Sequence, residues 1–409
     1  MRHIEYPRPT RILNSTNLRS TWLNSKDSRG QGGAPGIDGI TATSFGSNLA
    51  KNVDRIVSEL SLGEFHFAKL RPSPIPKGEG KFRIICVPTI RDRLVQRTIL
   101  HYLTYEKDLL GVLSPNSFGV IKGKEQGTHR AIETAIKRRQ KNSFVLKTDI
   151  SKFFDNIPRD YLLLKIQSRL RKRSVVPLLE QIVATEITSK NSEVRAKISA
   201  AGITEGKGLR QGMPLSPLLS NLVLRQFDKK LSDLGKSFIR YVDDLAVFEE
   251  SEADCLRTRD VIESELDKLG LEIPQLGVEK SKTEIKGPTD EVIFLGLAIY
   301  RQKNGHYAKR IPQFAFDDLR ERLNTEVSFA DFEAKGSKSS KNMKAYLLWF
   351  EGLRAGYGAA YSGATNLPHF QVQVDNLVQE SKMKLLKEVF GEHVVRDLDD
   401  RKMRFLGLA

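Results

Sequence analysis

Only two cysteines, Cys86 and Cys255, occur in the 409 residues. They lie far apart, and no second Cys or His is close enough to either to form a zinc knuckle or a redox pair. A disulfide scaffold and a structural zinc site are therefore excluded. No stretch approaches the roughly 18 to 20 apolar residues that a membrane span needs. The first 21 residues are polar and dotted with arginine, without the apolar segment of a secretory signal. There is no internal repeat. Acidic residues are the other shortage: 50 Asp and Glu against 66 Lys and Arg leave a formal net charge of +16. That imbalance favours a polyanionic partner, nucleic acid first, over an acidic or neutral one. At 39% apolar content the length accommodates roughly two or three domains, each with a core of its own.

Residues 30–43, GQGGAPGIDGITAT, are dense in glycine and read as a loop. KLRPSPIPKGEGKFRIICVP, residues 69–88, predicts two short strands about the turn Gly78-Glu79-Gly80, the first confined to an edge by Pro72, Pro74 and Pro76. Thr89 to Asp92 forms a T-x-x-D capping signature, after which Leu94, Val95, Ile99, Tyr102 and Leu103 recur at helical spacing. FVLKTD at 144–149 predicts a mainly apolar strand ending in a carboxylate, and Pro158 opens a helix through RDYLLLKIQSRLRKRS with a basic C-terminal end. In residues 209–231 a Gly/Pro loop leads into a helix whose apolar stripe is Leu215, Leu218, Leu219, Leu222, Val223, Phe227 and Leu231. EVIFLGLAIY and GHYAKRI predict two later strands, after which the chain is helical, with LLWFEGL and VDNLVQESKMKLLKEVF its clearest amphipathic pieces. The Lys/Ser run EAKGSKSSKNMK reads as an exposed loop.

FIRYVDDLAVF, residues 238–248, sets two apolar β-rich runs on either side of Asp243-Asp244, the pattern of a tight two-residue hairpin with the carboxylates at its tip. Adjacent aspartates repel each other, and a hard divalent metal is the natural neutraliser. Asp149 lies far enough upstream for its strand to pair beside the hairpin in one antiparallel sheet. Three oxygen ligands converging there suit Mg2+. Two such ions about 4 Å apart lower the pKa of an attacking hydroxyl and stabilise a leaving pyrophosphate, as nucleotidyl transfer requires. A bare Asp-Asp pair is most often a surface turn, so its surroundings carry the argument.

YVDD between apolar runs, TDISKFFDNI and LRQGMPLSPLLSN together resemble reverse transcriptases. GIDGIT, then IPKGEGKFRIICVPTIRDRLVQRTI and SPNSFG, follow in the order of the bacterial branch that is similar to group II intron reverse transcriptases, with family blocks from about residue 34 to 300. The resemblance implies an α+β, right-hand polymerase. Its parts would be an N-terminal extension at 1–33, fingers and a first palm segment at 34–143, and a palm on an antiparallel sheet at 144–310. A fingers-like basic insertion would occupy 159–208, and a helical thumb 311–409. The implied activity is RNA-directed DNA polymerisation with two Mg2+ ions, or Mn2+ in their stead. Asp149, Asp243 and Asp244 match the catalytic metal triad, with Ile150 counted among the metal-binding positions. Phe154 matches the steric gate that favours dNTPs, and Lys77 and Arg83 match cations that hold the triphosphate, a task suited to the Arg fork. Gln211 and Gly212 match the nucleotide-pocket loop. Lys282 matches the general acid for pyrophosphate, with Lys280 as the alternative alignment. Phe294, Leu295 and Gly296 match the primer-grip hairpin, its glycine admitting the primer backbone and its apolar residues filling the core. Basic helices around Arg130, Lys137, Arg138, Arg139 and Lys141, and around Arg169, Arg171, Lys172 and Arg173, are candidates to track a template-primer backbone.

The chain departs from the intron enzymes at SFGVIKG, where Ile121 replaces an expected arginine and Lys122 or Lys124 is the candidate substitute. The paired-cysteine nuclease is missing, and retron hallmark segments are not found. GITEGKG lacks the spacing of a phosphate loop. The expectation is thus a stand-alone bacterial, cytoplasmic enzyme acting on an RNA template, a DNA primer and dNTPs, with no membrane partner and with homo-oligomerisation open. A role in antiphage defence on a dedicated non-coding RNA is favoured by analogy. A nuclease-free intron maturase or RNA-binding scaffold is the alternative, as is untemplated or protein-primed synthesis from Tyr346, Tyr357 or Tyr361.

Overall fold

The computed structural model describes residues 8–29, 32–77, 80–104, 108–120, 126–171, 173–329, 343–399 and 401–402. The chain divides into two compact units, Met1–Ala131 with Leu146–Ile285, and Ile132–Val145 with Lys286–Ala409. No helix among the described residues is long and apolar enough to cross a membrane.

In the first unit, β1 (Arg71–Pro76) and β2 (Phe82–Val87) form an antiparallel hairpin in which Pro72, Pro74 and Pro76 face Cys86, Ile84 and Phe82. Prolines at alternate positions are tolerated because half of an edge strand's N–H groups point away from its partner. Residues 78 and 79 of the anticipated turn lie outside the described residues. Helix Ile90–Thr104 begins where the capping signature predicts, with Thr89 Oγ1 accepting from the Asp92 N–H at 3.1 Å. A four-stranded sheet follows the order β4-β5-β3-β6, from β3 (Phe144–Asp149), β4 (Ser237–Tyr241), β5 (Asp244–Glu249) and β6 (Glu284–Lys286). In β5, Leu245 through Phe248 are all buried, so this inner strand is covered on both faces. Helix Arg159–Leu170 stops short of the expected run at Arg171, which turns to φ 49°. Helix Ser216–Asp233 buries the whole anticipated apolar stripe. Helix Glu252–Asp267 is capped by Ser251, whose Oγ accepts from the Asp254 N–H.

The second unit holds an antiparallel sheet, β7 (Val292–Phe294), β8 (Leu297–Arg301) and β9 (Tyr307–Arg310). EVIFLGLAIY is therefore two strands rather than one. Leu295 at φ 51° and Gly296 at φ 79° form a two-residue turn between them, a backbone that overrides the apolar run. Helices Gln313–Glu326, Met343–Ala360, Leu367–Phe390 and Glu392–Arg396 also lie in this unit, as does most of helix Thr128–Lys141. Most of the Lys/Ser run lies outside the described residues.

Candidate active site

The hairpin β4-β5 pairs Tyr241 with Asp244 and Arg240 with Leu245. Its two-residue turn is Val242-Asp243, one position earlier than the sequence pattern suggests, so Asp244 is already the first residue of β5. Val242 has φ 60°, in a turn position that favours glycine. Such a conformation costs a β-branched residue on the order of 1–3 kcal/mol. Asp149 ends β3, the neighbour of β5, and the next residue, Ile150, donates its N–H to the Asp243 carbonyl at 3.2 Å.

The three carboxylates feel one another. Burial pushes Asp244 up to about 6, with the charges of Asp243 and Asp149 adding to it. Burial, then the charge of Asp149, likewise raises Asp243. Lys282 pairs with Asp149 Oδ2. Burial works against the Lys282 charge, but Asp149, Asp244 and Asp243 outweigh it and hold the ammonium above its ordinary value. Asp149 Oδ1 is buried without a hydrogen-bond partner. Among the described residues no group of three or more His, Cys, Asp or Glu stands ready-closed around a metal position. The donor set nevertheless fits a hard divalent cation: all oxygen, mutually repelling, with one buried acceptor unmet.

Cations gather beside these carboxylates. Lys77 and Arg83 stand on the β1-β2 hairpin. Burial lowers Lys77, and the charges of Arg83 and Lys282 add to it, while Asp155 and Asp243 oppose it. Of the two lysines considered, Lys282 is the one that reaches Asp149, and Lys280 sits at φ 59°. Phe153 is buried, and the half-buried ring of Phe154 lies against it with centroids 5.6 Å apart. The Gln211 carbonyl accepts the Cys86 N–H at 2.7 Å. Gly212, at φ 106°, runs so close to β2 that a Cβ would stand 2.7 Å from the Cys86 carbonyl oxygen. The close approach this glycine permits is thus to the hairpin backbone. Phe294 is buried, with Leu295 and Gly296 as the turn of the second unit's sheet.

The basic positions divide. Lys137, Lys141, Arg169, Arg171 and Arg173 are exposed and Arg130 is half-buried, while Lys172 lies outside the described residues. Burial lowers Arg138. Arg139 corrects the sequence-based grouping: it is fully buried, donates to the carbonyls of Ile299, Gly287 and Asp290, and stacks 4.5 Å from the Tyr307 ring centroid. Carbonyl acceptors engage both Nη groups and an aromatic face covers the guanidinium inside the second unit, so this buried charge is unavailable to a nucleic acid. Tyr346 is buried, and Tyr357 and Tyr361 pack on Phe370. Ile121, Lys122 and Lys124 lie outside the described residues. Asp155, half-buried and raised by burial against the pull of Arg210, Lys152, Lys77 and Arg83, escaped the sequence reading although TDISKFFD carries it. Arg240 and Asp228 escaped it too.

A family model described as reverse transcriptase (RNA-dependent DNA polymerase) matches residues 75–299, more than half of the chain. Protein YkfC of Escherichia coli (strain K12) is 25% identical over 322 residues, covering 68% of this chain and 78% of YkfC. The Retron Mx162 reverse transcriptase of Myxococcus xanthus is 27% identical over 221 residues, 51% of this chain and 42% of that protein. A putative COX1/OXI3 intron 2 protein of Saccharomyces cerevisiae is 23% identical over 184 residues, 44% of this chain and 20% of its own length. Similarity therefore reaches retron enzymes as well as intron proteins. A solved telomerase from Candida albicans, in complex with a fragment of telomeric RNA, aligns at TM-score 0.43 and 12% identity over 88% of this chain and 69% of that one. On the strength of the family match, which runs from the end of β1 through β2, the carboxylate strands and the turn at Val242-Asp243, this chain belongs to the reverse transcriptase family of RNA-dependent DNA polymerases.

Proposed function

We propose that the chain adds dNTPs to a primer 3′-hydroxyl on an RNA template, at the site where Asp149, Asp243 and Asp244 meet. The observation that carries this reading is the mutual repulsion of these three carboxylates, with Asp149 Oδ1 buried and unmet. Asp149, Asp243 and Asp244, with the backbone of Ile150 beside them, would hold two Mg2+ ions, or Mn2+. When bound, such a pair lowers the pKa of the primer hydroxyl and neutralises charge on the triphosphate. Lys77 and Arg83 bind the triphosphate from the hairpin, and Lys282 keeps a proton in reach of the leaving pyrophosphate. The Phe154 ring excludes a 2′-hydroxyl, Gln211 and Gly212 shape the pocket wall, and the turn Phe294-Leu295-Gly296 serves as primer grip. In this assignment β1-β2 belongs to the fingers, the four-stranded sheet to the palm and the helices after residue 311 to the thumb.

The template we favour is a dedicated structured non-coding RNA in a cytoplasmic antiphage role. The test is sequencing of RNA and DNA co-purified with the wild type and with Asp243→Ala/Asp244→Ala, alongside primer extension on RNA. One RNA in both preparations, complementary DNA in the wild type alone, and extension reduced about a thousandfold or more in the variant are expected. Equal RNA with no DNA in either, and no extension, would leave a scaffold or maturase. Label that stays on protease-sensitive protein would point to protein priming.

A further inference from the structure

A valine does not enter the left-handed region unaided, so the turn at Val242 must be held from outside. Arg240 and Gly119 bear on it directly, and residues 116–118 hold Arg240 in place. Arg240 is fully buried, and its Nη1 donates to the Val242 carbonyl at 2.7 Å. Its remaining donors are anchored on Asp228 of helix Ser216–Asp233, Nε lying 2.7 Å from Oδ1 and Nη2 pairing with Oδ2. Residues 116–118 run along the same strand. The Arg240 N–H donates to the Asn116 carbonyl at 2.8 Å, and the Phe118 N–H to the Arg240 carbonyl at 3.0 Å. Gly119 then passes so near that a Cβ would stand 2.6 Å from Val242 Cγ2 and 3.0 Å from its nitrogen. Ser117 Oγ ties this segment back to the helix through Asn221 Oδ1 at 2.9 Å, both side chains buried.

An apolar pair would join the strand to the helix without desolvating two charges. It could not donate to the Val242 carbonyl. We infer that Arg240 is a positioning residue which, with residues 116–119, braces the strained Val242-Asp243 turn and so sets how Asp243 and Asp244 face Asp149. The inference rests on the polymerase reading of the site. It also assigns work to the SPNSFG segment, which has no other role at the carboxylates.

The test compares wild type, Arg240→Met/Asp228→Leu, which removes both charges together, and Gly119→Ala, which presses on Val242 without touching the pair. Steady-state primer extension on an RNA template, Mn2+ binding by electron paramagnetic resonance, and thermal melting are measured for each. The expected result is kcat about tenfold lower with KM for dNTP unchanged, and Mn2+ binding about tenfold weaker. Adding Val242→Gly should restore most of both, because glycine adopts the turn unaided. Unchanged kcat and Mn2+ binding in both variants overturns the inference. So does a loss that follows the melting temperature and is not restored by Val242→Gly. Should the double variant fail to fold, Gly119→Ala decides by the same criteria. A wild type that binds RNA and extends no primer overturns the polymerase reading instead, and Mn2+ binding then still reads the brace.

Discussion

Asp149 gives one carboxylate oxygen to Lys282 and keeps the other buried and unpartnered, an acceptor that the proposed cation would meet. A few positions away, Phe154 exposes part of its ring while Phe153 fills the core, as successive residues of one helix turn point to different sides. If Phe154 is the gate proposed above, Phe154→Ala should leave folding intact and shift discrimination toward ribonucleotides by about tenfold or more, read from kcat/KM for dNTP and NTP on one template. An unchanged ratio would make the ring a packing residue. The two cysteines make the opposite case. Both are buried, and burial pushes both thiols up to about 12. The thiolate is the reactive form, so native protein at neutral pH should take up no alkylating agent, and denatured protein should take up two equivalents by mass spectrometry. Rapid native labelling of either would contradict the burial described.

Between elements, Glu186 is the clasp that steadies the loop before Gln211. Its carboxylate accepts from the Gly206 N–H at 2.9 Å, from Arg210 Nε at 3.0 Å and from Arg159 Nη1 at 2.7 Å, while its carbonyl accepts the Leu70 N–H. Burial alone would raise its pKa, but the Gly206 N–H and the two guanidiniums outweigh that and hold it below the ordinary 4.5. With the folded value below the unfolded one, the stabilisation is complete above that range and disappears as pH falls through the folded value. Glu186→Gln should cost on the order of 3 kcal/mol at neutral pH, since it leaves the buried Arg210 the Thr204 carbonyl but not its anionic partner. The difference from wild type should close in acid. Urea unfolding of both proteins across pH measures this, and a pH-independent difference would mean that the clasp acts by packing.

At the scale of the molecule, the surplus of 66 cations over 50 anions implies RNA binding that weakens steeply with salt, because bound phosphates release counterions. Arg169, Arg171 and Arg173 stand exposed at the end of helix Arg159–Leu170. Replacing all three by alanine should reduce the slope of log K against log salt by about one for each phosphate that is no longer neutralised. A slope equal to wild type, measured by fluorescence anisotropy over a salt series, would take that face off the nucleic-acid path. Arg139 is left out of this test because its charge is spent on carbonyls inside the second unit.

Much of this was readable from residue order because its causes are local. Prolines at alternate positions make an edge strand, Thr89 caps a helix three residues before Asp92, and two apolar runs around a short acidic break make a hairpin. Where local signals were incomplete, the pattern alone slipped: the Val242-Asp243 turn lies one residue earlier, and periodicity read as one strand the apolar run that Leu295-Gly296 divides into a hairpin. The fate of charge was not readable at all. Arg139, Arg240 and Lys137 look alike in a sequence, yet the first two are fully buried and the third is exposed. What separates them is distant chain: the carbonyls of Gly287, Asp290 and Ile299 for one, Asp228 and the Val242 carbonyl for the other. A guanidinium can leave water only where the fold brings it enough acceptors, and those acceptors converge only once the chain has closed on itself.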